Sequence, residues 1–271
     1  MLPAVELQKI YWGDAPGAFI AAHMLYSIAT HGGHVLASTD GNTVTGIVIG
    51  LLGMNTDHPL PHRLHIYSKR MIVSPDYRNQ GLGRHLKFAQ RAVALQQGIK
   101  RVVWTFDPLL APNAHLNLRK LGCISRQYHH NYYGTNNTGG LSPDGTSDRL
   151  YLEWPIEDDA IQRRAEGTFT GPTLDDLLAD GTTVLNPSDH HTSPYPIPGE
   201  YQPNHNGPAL IEIPRQFQSI QQHHPDLARL WRRHIRATLA EKIRSGFQVV
   251  DFVSGDYHGA NRSFYVLTQQ N

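Results

Sequence analysis

"VSPDYRNQGLGRHLKFAQRAV", residues 73–93, sets two glycines between a strand-like run and a helical pattern. The run before it, "LHIYSKRMIV", is rich in strand-forming residues, and the pattern after Gly83 is helical to about Gln97, where Gly98 stops it. A strand, a proline-bearing turn, two glycines and a helix start together make an anion cradle. The first N–H groups of a helix have no partner inside it, and its dipole adds partial positive charge there. Glycine lets a phosphate approach the backbone because it carries no Cβ. Arg78 adds a charged donor. The spacing Arg-x-x-Gly-x-Gly is too short for the dinucleotide fingerprint and lacks the Gly-Lys-Ser/Thr ending of a P-loop.

Outward from that stretch, "AVELQKIYWG" and "AAHMLYSIATHGG" read as helices, and "HVLAS" with "TVTGIVIGLLG" as a hairpin about "TDGN". After the glycine loop come a strand "RVVWTF", a turn "DPLLAPN" and a short helix "AHLNLRKLG" closed by Gly122. "RQYHHNYYG" and "RLYLEW" read as strands around the loop "TNNTGGLSPDGTSD". Residues 187–208 hold six prolines, a linker or lid composition. Order returns with the strand "ALIEIP", a long helical pattern with Leu227, Leu230, Trp231, Ile235, Leu239 and Ile243 on one face, and the strands "FQVVDFV" and "SFYVLTQ".

Composition narrows the function classes. The chain of 271 residues is 39% hydrophobic and 17% charged, enough for a core, and its net charge of +1 implies no nucleic-acid or membrane surface. A single cysteine, Cys123, excludes an internal disulfide framework and fits a reducing cytosol. No apolar run approaches a membrane span, and the opening "MLPAVELQKIYWG" lacks the basic-then-apolar pattern of a signal peptide, so a cytoplasmic location is expected.

Around these residues the chain resembles the GNAT family, the acyl-CoA-dependent N-acyltransferases. "MIVSPDYRNQGLGRHL" matches that family's strand, proline and Gln/Arg-x-x-Gly-x-Gly/Ala helix start through Val73, Pro75, Arg78, Gly81 and Gly83. "RVVWTF" followed by "NAHLNLRKLG" is similar to its next strand and its Asn-containing helix. The resemblance covers about residues 5–154, and "WTFDPL", "NAHLNL" and the closing "IP…F…W…R" segment suit a branch with a carboxy-terminal extension. It implies an α/β fold: a GNAT-like mixed sheet flanked by helices, with a smaller carboxy-terminal α/β subdomain. The expected division is an acyl-CoA-binding domain over residues 1–154, a Pro-rich connector or lid over 155–207, and a small subdomain over 208–271. One reading makes that subdomain a degenerate half of the same fold.

The resemblance also implies a site. The amides of Arg78, Asn79, Gln80, Gly81, Leu82, Gly83 and Arg84 would hold the pyrophosphate of acetyl-CoA or another acyl-CoA such as succinyl-CoA. The strand edge at Met71, Ile72 and Val73 would hydrogen-bond the pantetheine arm as an added strand, and Asn113 would touch the same arm. "RVVWTF" would splay away to leave a cleft for the thioester, and one of its N–H groups would steady the oxyanion. The acceptor would be a primary amine of a small molecule such as an amino acid. No metal is implied, and the assembly is open, a homodimer among the options. The second reading is a non-catalytic acyl-CoA-binding or sensing module. It draws on two departures: Leu118 stands where the family often keeps a tyrosine acid, and no strand precedes the first helix. Cys123 also replaces a phenylalanine.

For catalysis, His65 or Tyr67 would deprotonate the amine, on a face shared by strand alternation with Lys69, Met71 and Val73. Asp107 would orient the amine, set against an ordinary turn residue before Pro108. Tyr128, Tyr132 and Tyr133 are the substitutes for the missing tyrosine. His115 reads as a helix cap, a group facing the thioester or a surface histidine. The pairs His129-His130, His190-His191 and His223-His224 do not have metal-ligand spacing, since adjacent histidines point different ways.

Overall fold

The computed structural model describes residues 1–15, 17–57, 59, 63–135, 145–189 and 194–270. In chain order the elements are α1 (Leu2–Trp12), α2 (Ala22–Thr30), β1 (His34–Asp40), β2 (Thr43–Met54), β3 (Leu64–Val73), α3 (Leu82–Gln96), β4 (Arg101–Phe106) and α4 (Ala111–Ala114). A π-helical stretch, His115–Lys120, prolongs α4. Then come β5 (Ile124–His129), β6 (Arg149–Pro155), α5 (Asp159–Glu166), α6 (Leu174–Ala179), β7 (Thr183–Val184), β8 (Ala209–Ile213), α7 (Phe217–His223), α8 (Pro225–Arg244), β9 (Phe247–Tyr257) and β10 (Ala260–Gln269). The class is mixed α/β, as expected.

Contacts divide the chain into two compact units: Met1–Trp104 with Glu153–Glu166, and Thr105–Leu152 with Gly167–Asn271. This cuts the chain differently from the division expected at 154 and 208. Residues 105–152 group with the carboxy-terminal elements, and the stretch expected as a connector contains α5, α6 and β7.

In the first unit the strand order is β1-β2-β3-β4, antiparallel up to β3 and parallel between β3 and β4. Residues 45–50 of β2 are all buried, which requires cover on both faces. On one face Ile47, Ile49 and Ile72 pack with Ala4, Val5 and Leu7 of α1 and Leu25 of α2. On the other lies α3, and here two glycines admit close neighbours. A Cβ on Gly46 would stand 2.9 Å from the Leu86 side chain, and one on Gly50 would stand 2.3 Å from the His34 ring. The buried side of α3 is partly polar. Lys87 donates to Ser68 at 2.7 Å and to Gln90 at 3.2 Å, and Gln90 meets His34 Nε2 at 2.8 Å. The Lys87 ammonium lies 3.5 Å from the Trp104 ring centre, a cation–π contact that offsets part of its desolvation.

The second unit carries the order β6-β5-β9-β10-β8-β7. β9 and β10 form a hairpin, β8 runs antiparallel to β10 and β7 parallel to β8. Leu174 of α6 closes a core with Val184, Leu210, Val253, Phe264 and Val266. The proline-rich stretch is tied to this sheet at its start. Asn186, fully buried, donates to the Glu212 carbonyl and accepts from the Glu212 N–H, so its side chain pairs with β8 as a strand backbone would. Glu212 in turn receives the Ser188 N–H at 2.8 Å and the Arg262 guanidinium at 3.3 Å. The apolar stripe expected on α8 is buried at Trp231, Ile235, Leu239 and Ile243, and the Trp231 indole donates to the Pro196 carbonyl at 2.8 Å.

Candidate active site

The glycine loop forms as its sequence dictates. β3 ends at Val73, and Pro75–Tyr77 make one 3-10 turn fixed by Tyr77 donating to Asp40 at 2.8 Å. Asn79 (φ 61°) and Gly81 (φ 82°, ψ −3°) both adopt left-handed backbone, so the chain curls before entering α3. A concave run of this kind aims successive N–H groups inward. The first helical bond of α3 is from the His85 N–H to the Gly81 carbonyl, which leaves the amides of Leu82, Gly83 and Arg84 without helical acceptors. A Cβ on Gly81 would meet only His85 Cε1 at 4.0 Å, so the space beside it is open.

The side chains around this loop divide by role. Arg78 is exposed; its Nε donates to the Val73 carbonyl at 3.2 Å and its guanidinium lies 5.7 Å from the Tyr11 ring centre. Gln80 closes the turn by donating to the Asp76 carbonyl at 3.0 Å. Arg84 turns the other way and caps the carbonyl end of α5 at Arg164 and Ala165, so its backbone, not its charge, belongs to the cradle.

β3 then supplies an edge. Met71, Ile72 and Val73 are paired on one side with Val48, Ile47 and Gly46 of β2. On the other side the parallel pairing with β4 is Ile66 with Val102 and Tyr67 with Val103, with no later pair recorded among the described residues. The strands therefore separate after Tyr67, which leaves the Met71–Val73 side of β3 without a β4 pair among the described residues.

A bulge falls at this divergence. Ser68 pairs with Gly50 and Arg70 with Ile49, so Lys69 is the inserted residue of the bulge and the facing of β3 flips across it. His65 and Tyr67, opposite Gly53 and Leu51, share the α1 face with Arg70 and Ile72; Met71 and Val73 face α3. The expected common face for His65, Tyr67, Met71 and Val73 is thus corrected, because alternation holds only where no residue is inserted.

Arg70 was not singled out by the sequence, where it reads as one more polar strand residue. Its NH1 donates to Gln8 at 3.1 Å and to the Ala18 carbonyl at 2.6 Å, and the guanidinium stacks 4.3 Å from the Trp12 ring centre. Gln8, fully buried, also bonds both the N–H and the carbonyl of Ile20. The connection between α1 and α2 is so pinned to the β3 face that carries His65 and Tyr67.

The remaining candidates lie in the second unit. Asp107 does not present an open carboxylate: Oδ1 and Oδ2 accept from Arg232 at 2.5 and 2.8 Å, and Oδ1 also accepts from the Leu109 N–H. That overturns the expectation that Asp107 orients an amine. Asn113 is exposed on α4, and Leu118 is fully buried in the π-helical stretch. Of the three tyrosines, Tyr128 donates to Asp148 at 2.8 Å, and burial beside that carboxylate pushes its hydroxyl up. Tyr132 is exposed. Tyr133 meets the Thr105 hydroxyl at 3.2 Å, two residues beyond the last β3–β4 pair. His190 and His191 lie outside the described residues. Among the described residues no group of three His, Cys, Asp or Glu side chains could hold a metal ion, and no helix is long and apolar enough to cross a membrane.

Residues 4–122 match the Acetyltransferase (GNAT) family. Three solved structures are similar. The ribosomal-protein-S18-alanine N-acetyltransferase of Escherichia coli is 19% identical with a TM-score of 0.43, over 57% of this chain and 86% of that one. A GNAT acetyltransferase from Elizabethkingia anophelis with acetyl-CoA bound is 17% identical, TM-score 0.39, over 50% and 83%. A GNAT acetyltransferase from Streptococcus pneumoniae is 16% identical, TM-score 0.45, over 56% and 90%. A search of curated proteins gave no match. The matched family implies acyl transfer from an acyl-CoA to an amine.

Proposed function

We propose that the protein transfers an acetyl or succinyl group from its coenzyme A thioester to the primary amine of a small molecule such as an amino acid. The observation that carries this is the coincidence, in one unit, of an open glycine cradle and a strand edge released by the Lys69 bulge. The amides of Leu82, Gly83 and Arg84, with Arg78, suit a pyrophosphate, and the edge at Met71, Ile72 and Val73 suits the amide-bearing pantetheine arm. Asn113 is retained as a further contact to that arm.

His65 or Tyr67 accepts the amine proton, directly or through water, before the nitrogen attacks the thioester carbonyl. A backbone N–H at the divergent strand edge donates to the carbonyl oxygen as charge grows there. The C–N bond forms, the C–S bond breaks, and the departing thiolate takes its proton from water. A small acceptor is favoured because Arg70 and Gln8 tie the α1–α2 connection onto the His65 and Tyr67 face, which limits room for a polypeptide.

The second reading, an acyl-CoA sensor without turnover, draws on Leu118 in place of the expected tyrosine acid. Thiol release from acetyl-CoA and succinyl-CoA with a panel of amino acids separates the two. Saturable, amine-dependent release supports transfer, and tight coenzyme binding with no release under any amine supports the sensor.

A further inference from the structure

A cavity of about 450 Å³ lies within the second unit, walled by the π-helical stretch, the approach to α6, the residue pair after β8, and β9 with β10. Its lining includes Arg119, Arg215, His115, Ser254, Ser263 and Phe252, and no lining residue is acidic. None belongs to the glycine loop or to the β3 edge. We infer that this cavity is a second ligand site, one that takes a small carboxylate with an apolar body.

Three observations carry the inference. Arg119 is fixed, its guanidinium held by Asp251 at 2.5 Å and by the Gly171 carbonyl at 2.9 Å, so it presents a rigid wall whose charge is largely balanced. Arg215 is different: it makes no hydrogen bond or ion pair among the described residues, and it is the cavity's uncompensated charge. A guanidinium matches a planar carboxylate through two parallel N–H donors. Ser254 and Ser263, directly opposite each other on β9 and β10, join their hydroxyls at 2.7 Å and place polar groups in the same cavity, with Ser263 itself buried. Burial and the positive charges of Lys120 and Arg119 hold His115 below its usual range, so at neutral pH it adds a hydrogen-bonding group rather than a third charge. The volume is that of a small-molecule site, and Phe252, Val253 and two prolines give it apolar walls.

The test uses the full chain and 4-fluorobenzoate, followed by fluorine NMR, with 4-fluorobenzamide as the neutral match and 4-fluorobenzylamine as the cation. The expected order is benzoate tightest, with the amide weaker by about tenfold and the amine not bound, since only the carboxylate pairs its charge with the two parallel donors of Arg215. Arg215→Ala should weaken benzoate at least fivefold, and Arg215→Lys should recover most of it. Arg215 is exposed, so neither change threatens folding. In crystals soaked with 4-bromobenzoate the anomalous peak should fall beside Arg215. Equal binding of benzoate and benzamide, wild-type affinity in Arg215→Ala, or a bromine peak elsewhere would each overturn the site. Acetyl-CoA affinity, read in parallel, tests the glycine cradle separately, so the two readings can fail independently.

Discussion

Arg232 grips Asp107 with two parallel hydrogen bonds, NH1 to Oδ1 at 2.5 Å and NH2 to Oδ2 at 2.8 Å, and both side chains are almost sealed from solvent. A turn later on α8, Arg236 repeats the pattern on Asp148, at 2.6 and 2.8 Å. Two acids near the ends of β4 and β6 are thus matched by two bases from the carboxy-terminal helix.

Removing one partner of the buried pair leaves an unpaired charge. Arg232→Ala should lower unfolding free energy by about 3–5 kcal/mol, and the double change Arg232→Met with Asp107→Leu should recover most of it. Urea unfolding of the three chains is the measurement. A single variant as stable as the parent would mean the pair is hydrated in solution.

A chain ending at Asp158 lacks both arginines and β8 to β10. It should be insoluble or melt clearly lower than the full chain, because Asp107, Asp148 and the exposed edge of β5 lose their cover. A soluble truncated chain with an unchanged melting temperature and normal acetyl-CoA binding would show that the extension is an independent module.

Coenzyme binding should fail in Gly81→Glu. At φ 82° any side chain is strained, and a carboxylate there would sit beside the amides meant for phosphate. Arg78→Ala should cost roughly 1.5–3 kcal/mol of affinity for acetyl-CoA and less for a phosphate-free pantetheine. Calorimetry decides both, and equal losses for the two ligands would remove Arg78 from the phosphate site.

Burial, with Lys87 nearby, lowers His34 from 6.5 to about 4. The folded state therefore resists protonation that the unfolded chain accepts. This contribution is whole above about pH 6.5 and declines as pH falls toward 4, by up to about 3 kcal/mol. His34→Gln should flatten that part of the stability profile. His115, His129 and His234 are lowered too, so the comparison of parent and variant is the informative quantity. Parallel profiles between pH 4 and 6.5 would refute the assignment.

The glycine cradle was legible because its instructions are local. Pro75, Gly81 and Gly83 punctuate the chain within nine residues, and the tie from Tyr77 to Asp40 adds to a turn they already set. The bulge at Lys69 was not legible, since "YSKRM" reads the same with or without an inserted residue; only the partner strand reveals it. Asp107 was misread for a related reason: a turn acid before a proline looks free until a residue 125 positions later is folded onto it. The proline-rich stretch was judged by composition, yet Asn186 and Ser188 dock its start on Glu212 of β8.

The chain division has a consequence for synthesis. Asp107 leaves the ribosome 125 residues ahead of Arg232, on the order of ten seconds at ordinary elongation rates. Throughout that interval the acid after β4 lacks the guanidinium that grips both of its oxygens. The nascent chain should therefore stay sensitive to protease near Asp107 until α8 emerges. A translational pause placed after Trp154 would lengthen that window, whereas one placed after Gln270 would leave it unchanged.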